Sequence, residues 1–177
     1  HFTYKKAKGD KFQRIIGYKE LSEILNKNDV ILPVPRNYYI ETNYSQYAHA
    51  HHAVDLDKTR EIISEKYPEY IKAYDDSMQE TSGHRFNMFI MKRDKFNAYC
   101  EWLFDILFDV EKQLEKRLDI SNYNTNDARV FGFVSERLFD VWINTNNISY
   151  TNQPYIFMEK QNWFIKGINF VKRKVFN

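Results

Sequence analysis

Apolar positions along the chain repeat with two different periods, and the changes of period divide it into elements. Phe96, Tyr99, Leu103, Leu107, Val110, Leu114 and Leu118 follow at steps of 3, 4, 4, 3, 4 and 4. This sustained helical stripe predicts one long helix from about Asp94 to Leu118. Trp102, Phe104, Ile106 and Phe108 widen the stripe, so its middle is expected to be covered on both sides, while Glu111-Lys-Gln and Glu115-Lys-Arg mark a solvated end. A polar loop, Ser121 to Asn126, precedes a second stripe of Val130, Val134, Leu138, Val141 and Trp142, opened by Asn126 or Asp127 and closed near Asn144 to Asn147.

Upstream, Leu21, Ile24 and Leu25 predict a helix over 18–28, and Asp29-Val-Ile-Leu-Pro33 a buried strand. Pro33 and Pro35 hold Arg36 to Glu41 extended, as a surface loop carrying Tyr38 and Tyr39. Thr42 or Asn43 is expected to cap a helix through the histidine group, and Asp55 or Asp57 another through Ile62 and Ile63. Pro68 ends that helix and opens the next, in which Tyr70, Ile71 and Tyr74 share a face until Thr81-Ser-Gly83. Phe86-Asn-Met-Phe-Ile-Met91 and Pro154-Tyr-Ile-Phe-Met158 read as short apolar strands, and residues 1–17, broken by Gly9 and Gly17, as a loop or edge strand. The class is mixed, helix-rich α/β, with short central strands packed by long helices. Residues 1–162 form one domain and 163–177 a basic aromatic tail.

Composition narrows this little. The 177 residues suffice for one core, and a formal charge of +2 is too balanced for a nucleic-acid footprint, so no nucleic-acid partner is expected. The lone Cys100 rules out an internal disulfide, fits a reducing compartment and reads as a small buried hydrophobe. No run approaches the roughly 18–20 apolar residues of a membrane span, and the start has no signal-peptide pattern. A soluble, cytoplasmic protein is expected. The chain opens at His1 without a Met and in mid-domain style, which suggests that an N-terminal part precedes it.

Several groups carry candidate chemistry. His49, His51 and His52 form the only histidine cluster, with His49 and His52 on one face if the helix continues through them. The readings are metal, a polar or diphosphate contact, or a solvated helix face. Glu136 lies at the edge of the second stripe, with Arg129 two turns earlier on roughly the same side. That pair suits a cleft in which one group accepts a proton and the other holds phosphate, or it is ordinary helix-surface charge. Asn87, polar inside an apolar run, either reaches a pocket or is satisfied by backbone. Trp163, Phe164, Phe170 and Phe176, interleaved with Lys166, Lys172, Arg173 and Lys174, fit either peripheral contact with anionic lipid or a tail packed back on the core. Phosphate-loop, dinucleotide and Gly-x-Ser-x-Gly motifs are absent, and the one literal Asp-x-Asp, Asp55-Leu-Asp57, sits where a helix opens.

Six blocks together resemble a family: Ile31-Leu-Pro-Val-Pro-Arg-Asn-Tyr-Tyr-Ile-Glu41, Tyr47-Ala-His-Ala-His-His52, Glu65-Lys-Tyr-Pro-Glu-Tyr70, Asn87-Met-Phe-Ile-Met91, Tyr99-Cys-Glu-Trp-Leu-Phe104 and Ala128-Arg-Val-Phe-Gly-Phe-Val-Ser-Glu-Arg-Leu138. They are similar to a bacterial family long labelled a domain of unknown function, associated with capsular and exopolysaccharide synthesis and regarded as glycosyltransferases. The resemblance runs from His1 to about Trp163. It implies the C-terminal part of a GT-A-like fold that moves a sugar from a nucleotide-sugar donor, a UDP-hexose or UDP-galactofuranose, to a polysaccharide or lipid-linked acceptor. It leaves a divalent metal, magnesium or manganese, open, and it places much of the nucleotide site ahead of His1. By analogy, Glu136 is the general base or a sugar-orienting carboxylate, and Arg129 holds donor phosphate or Glu136 itself. Asn87, Tyr38, Tyr39, His49 and His52 are implied as substrate contacts. The competing reading is a non-catalytic binding or scaffold module of a polysaccharide-assembly complex.

Overall fold

The computed structural model describes residues 1–3, 10–117 and 129–159. Its centre is the strand β1 (Val30–Pro33), buried along its whole length. Alternation across a strand sends successive side chains to opposite faces, and here both faces are covered. Val30 and Leu32 enter the main core, while Ile31 meets Phe2, Ile16 and the apolar side of α1 (Tyr18–Leu25). An uninterrupted apolar run is what a strand covered on both faces requires.

After β1 come a two-residue strand β2 (Arg36–Asn37) and the helices α2 (Asn43–Ala50), α3 (Ala53–Lys66) and α4 (Ile71–Gln79), the last entered through a 3-10 turn at Pro68–Tyr70. Then follow β3 (Ser82–Gly83), β4 (Ile90–Met91), the long α5 (Arg93–Arg117), α6 (Val130–Thr145) and β5 (Tyr150–Gln153). β1 pairs antiparallel with β4 and parallel with β5 in the order β4-β1-β5, and β2 pairs antiparallel with β3. The chain start joins the β5 side: Thr3 N–H donates to Pro154 O at 2.9 Å, and Ile156 N–H to His1 O at 2.9 Å. Against the helical face of the sheet, α3 packs on α5 and α4 on α6.

Thr42 caps α2 with a full capping box, its hydroxyl accepting from Ser45 N–H at 3.0 Å while its own N–H donates to Ser45 Oγ at 2.9 Å. α3 opens at His52, so neither Asp55 nor Asp57 caps it as expected. Asp55 is instead buried and accepts the Tyr47 hydroxyl at 2.7 Å.

Three further expectations need correction. The run Phe86 to Met91 is a strand only at Ile90–Met91, because Phe86 and Asn87 adopt positive φ values of 80° and 47° that no strand allows. The last strand is Tyr150–Gln153 rather than 154–158, since the register with β1 ends at the pair Pro33 and Gln153. The middle of α5 is covered on one side only: Trp102 and Ile106 are buried, but Phe104 and Phe108 stand out at 49% and 57% exposure. The Ser121–Asn126 loop, the opening of the second helix at 126–127 and the tail 163–177 lie outside the described residues.

The two sides of this helical core make a contrast for mutation. Leu138, fully buried on α6, should cost about 2–5 kcal/mol when replaced by Ala. Phe104→Ala should shift stability by less than about 1 kcal/mol. Urea unfolding measures both, and comparable losses at the two positions would mean that Phe104 is covered after all.

Candidate functional site

Immediately after β3 the chain turns inward at His84 and Arg85 and then out through Phe86 and Asn87. Two successive non-glycine residues at positive φ are costly and persist only where surroundings over-determine them. The first turns of α6 do this. Phe86 N–H donates to Glu136 Oε1 at 3.1 Å, Asn87 Nδ2 to Gly132 O at 2.9 Å, and Ser135 Oγ–H to Asn87 Oδ1 at 3.1 Å. The Phe86 ring also seats edge-on against Tyr155 and Phe157, with centroids 5.2 and 6.1 Å away. Asn87 and Glu136, separated by 49 positions, are thereby held together by one helix.

Arg85 is buried to 4% exposure and its guanidinium is surrounded by acceptors. Nη1 donates to His84 O at 2.6 Å and lies 3.6 Å from Asp140 Oδ2, Nε donates to Tyr38 Oη at 3.1 Å, and Nη2 donates to Asn43 Oδ1. Asn43 is itself fully used, its Nδ2 donating to Ser77 O at 2.7 Å and Ser82 O at 2.9 Å. Gly83 leaves room for Arg85: a Cβ there would lie 2.5–2.8 Å from three of its guanidinium atoms, so any side chain would displace the guanidinium from its acceptors.

His84 faces the other way. Its Nδ1 lies 2.5 Å from Asp140 Oδ1 and its Nε2 2.8 Å from Asn152 Oδ1, while its backbone N–H donates to Asp140 Oδ2 at 2.9 Å. With an oxygen at each ring nitrogen, the imidazolium is the form that satisfies both. Burial works against that charge, yet the hydrogen bond and charge of Asp140, joined by Asn152, outweigh it and raise the His84 pKa.

The candidates drawn from sequence thus fall into two sets. Glu136, Asn87 and Tyr38 meet around Arg85, and Glu136 and Asn87 line one small cavity of about 10 Å³, the room of a single water, with Met88, Phe89 and Phe139. The Glu136 carboxylate is held by Phe86, with Oε2 3.8 Å from Arg137, rather than by Arg129. Arg129 is exposed at the N-terminus of α6, its guanidinium 5.2 Å from the Phe133 ring centroid, and His51 stacks on that ring at 4.2 Å. Tyr39 points to solvent, 82% exposed at φ 63°. His49 and His52 do not share a helix face, because α2 ends before His51 and α3 starts after His52; His49 Nδ1 pairs with Glu41 Oε1 at 2.9 Å.

On the far side of His84 lies a much larger cleft of about 670 Å³ between α4, α6 and β5. Sequence reading missed His84, Arg85, Asn43 and Asp140. One signal was available, since Asp140 lies between Phe139 and Val141 in the most apolar stretch of α6, where a carboxylate needs a partner. The residues also test poorly as a metal centre. Among the described residues no group of three or more His, Cys, Asp or Glu is placed to hold an ion, and Asp55 and Asp57 are separately engaged by Tyr47 and Tyr44. Nor is any helix among them long and apolar enough to cross a membrane.

Residues 1–147 match the domain of unknown function DUF4422, and the chain is a member of that family. Among solved structures it is similar to the apo structure of the bifunctional glycosyltransferase WbbM, with a TM-score of 0.70 and 28% identity over 77% of this chain. The chain spans 25% of the length of that protein. No curated protein matches it.

The His84 pair gives a pH signature. Because folding raises the His84 pKa above its ordinary 6.5, its stabilising contribution is complete below that value and is lost as pH rises through the raised one. Urea unfolding from about pH 5 to about pH 9 should therefore show a stability gap between the parent and His84→Asn that narrows with rising pH. A gap that is constant or widens would mean that His84 is not held as the cation.

Proposed function

We propose that this chain forms part of a glycosyltransferase that moves a sugar from a nucleotide-sugar donor to a polysaccharide acceptor in capsule or exopolysaccharide synthesis. The observation that carries the reading is the strained Phe86–Asn87 turn clamped by α6, which brings Asn87 and Glu136 together at a half-open surface. Similarity to part of WbbM supports glycosyl transfer as the chemistry.

The roles follow from what each group has left to offer. Oε1 of Glu136 accepts the Phe86 N–H, and Oε2 is the oxygen left to receive an acceptor hydroxyl proton. Asn87 positions that carboxylate through Gly132 and Ser135 and presents its own amide edge to sugar hydroxyls. Arg129, exposed at the N-terminus of α6 where a cation is otherwise disfavoured, is the residue proposed to meet donor phosphate. Tyr39 offers an exposed ring to a sugar face, with Tyr38 behind it on Arg85, and His49 and His52 supply polar contacts. UDP-hexose and UDP-galactofuranose are the donors to try first. The reading places the reaction in the cytoplasm, at the inner membrane face if residues 163–177 contact lipid.

Glu136→Gln tests this most cleanly, because the amide oxygen can still accept the Phe86 N–H while the proton acceptor is gone. In the intact protein it should lower sugar incorporation by about 10²–10⁴-fold and leave Tm nearly unchanged. Glu136→Ala, which strands that N–H, should also destabilise by about 1–3 kcal/mol. Full activity in Glu136→Gln would remove Glu136 from the chemistry, whereas no sugar incorporation by the parent protein itself would favour the non-catalytic scaffold reading.

A further inference from the structure

The large cleft beside His84 has no part in the roles assigned above, and its walls select against the donor. It is about 670 Å³, within the range of ligand sites. Four carboxylates line it, Glu69, Asp76, Glu80 and Asp140, against two cations, Lys72 and His84. Both cations are committed to lining carboxylates, Lys72 Nζ to Asp76 at 2.5 Å and His84 to Asp140 at 2.5 Å. The surplus is therefore negative, and a diphosphate or uronate entering it would meet repulsion.

The remaining lining is neutral and polar. Asn144 and Asn152 place amides on opposite walls, from α6 and β5, and Ser82 adds a hydroxyl. Tyr150 stands at the rim, 42% exposed, its ring edge-on to His84 with centroids 5.5 Å apart. Amides that both donate and accept, beside an aromatic face, are the means by which a protein holds an uncharged polyol. His84 lines this cleft and also the small cavity at Glu136, so a ligand here lies one side chain away from the proposed base.

We infer that this cleft seats an uncharged sugar residue of the acceptor, with Tyr150 under the ring and Asn144 and Asn152 on its hydroxyls. The inference rests on the glycosyltransferase reading for the word acceptor, but the neutral-sugar site itself does not.

Saturation-transfer NMR on the intact protein, with methyl β-galactopyranoside, methyl β-glucopyranoside and the methyl glucuronide as probes, tests it. At least one neutral glycoside should bind, with affinity about tenfold weaker in Tyr150→Ala and in Asn144→Ala, and the glucuronide should give no signal. The same binding should persist in Glu136→Gln. Absence of glycoside binding, binding indifferent to both variants, or an equal signal from the glucuronide would overturn the inference. The two proposals fail separately: Tyr150-dependent glycoside binding without any sugar transfer leaves the sugar site and removes the catalytic reading. Transfer that depends on Glu136, with glycoside binding blind to Tyr150, does the reverse.

Discussion

Burying an arginine is costly unless its N–H groups find acceptors, and Arg85 meets that demand by drawing separate segments to itself. Asn43 comes from the start of α2, Tyr38 from the loop after β2, and Asp140 and the Glu136 carbonyl from α6. The surroundings are fitted to it as well, for Gly83 leaves the space that a side chain would close. Since Asn43 also binds the end of α4 and β3 through Ser77 and Ser82, one guanidinium fixes how two helices and the small β2–β3 ribbon meet. The direction in which the chain leaves Gly83 follows from this.

With Arg85 pinned inward, its two neighbours are sent to different tasks. His84 reaches across to Asp140 and Asn152 and becomes the wall of the large cleft. Phe86 and Asn87 are forced into a left-handed turn that α6 holds by Gly132, Ser135 and Glu136, at positions 0, 3 and 4 of one helical face. Four consecutive residues thus separate two environments. On one side is a carboxylate-rich cleft with amides and a tyrosine. On the other is the N-terminus of α6, bearing Arg129, with the Arg129–Phe133–His51 stack beside it. A reaction between a polyanionic donor and a neutral acceptor calls for such a division of charge, and the inferred sugar site extends the proposed function across it by seating an acceptor residue in the cleft while the donor meets the α6 side.

Much of the scaffold was legible because it depends on periodicity. β1, α2 with its Thr42 cap, the 25-residue α5 and the buried face of α6 all follow from spacing and capping residues. Failures came where a local pattern was overridden by a tertiary contact. Phe86 to Met91 has strand composition, yet the Glu136 carboxylate and the Asn87 amide hold its first half in a turn. His49 and His52 have helical spacing, but the helix breaks between them. Phe104 and Phe108 read as core because they are aromatic, although their angle on α5 faces them outward. Of the candidate site, Glu136 and Asn87 stand out in the sequence by their place in the apolar pattern and in the matching blocks, whereas His84, Arg85 and Asn43 lie in polar surroundings that give no periodic signal, and only the folded chain brings them together.

The central claim is that the turn at Phe86–Asn87 and the first turns of α6 form the place where substrate meets protein. Backbone amide shifts of isotope-labelled intact protein, followed while a UDP-sugar is titrated in, test it directly. The account predicts that the largest shifts fall on Phe86, Asn87, Arg129 and Gly132 through Arg137, with the amides of α3 and the solvent side of α5 unmoved. Saturable shifts confined to those distant helices, with the Phe86 and Asn87 amides unchanged, would contradict it.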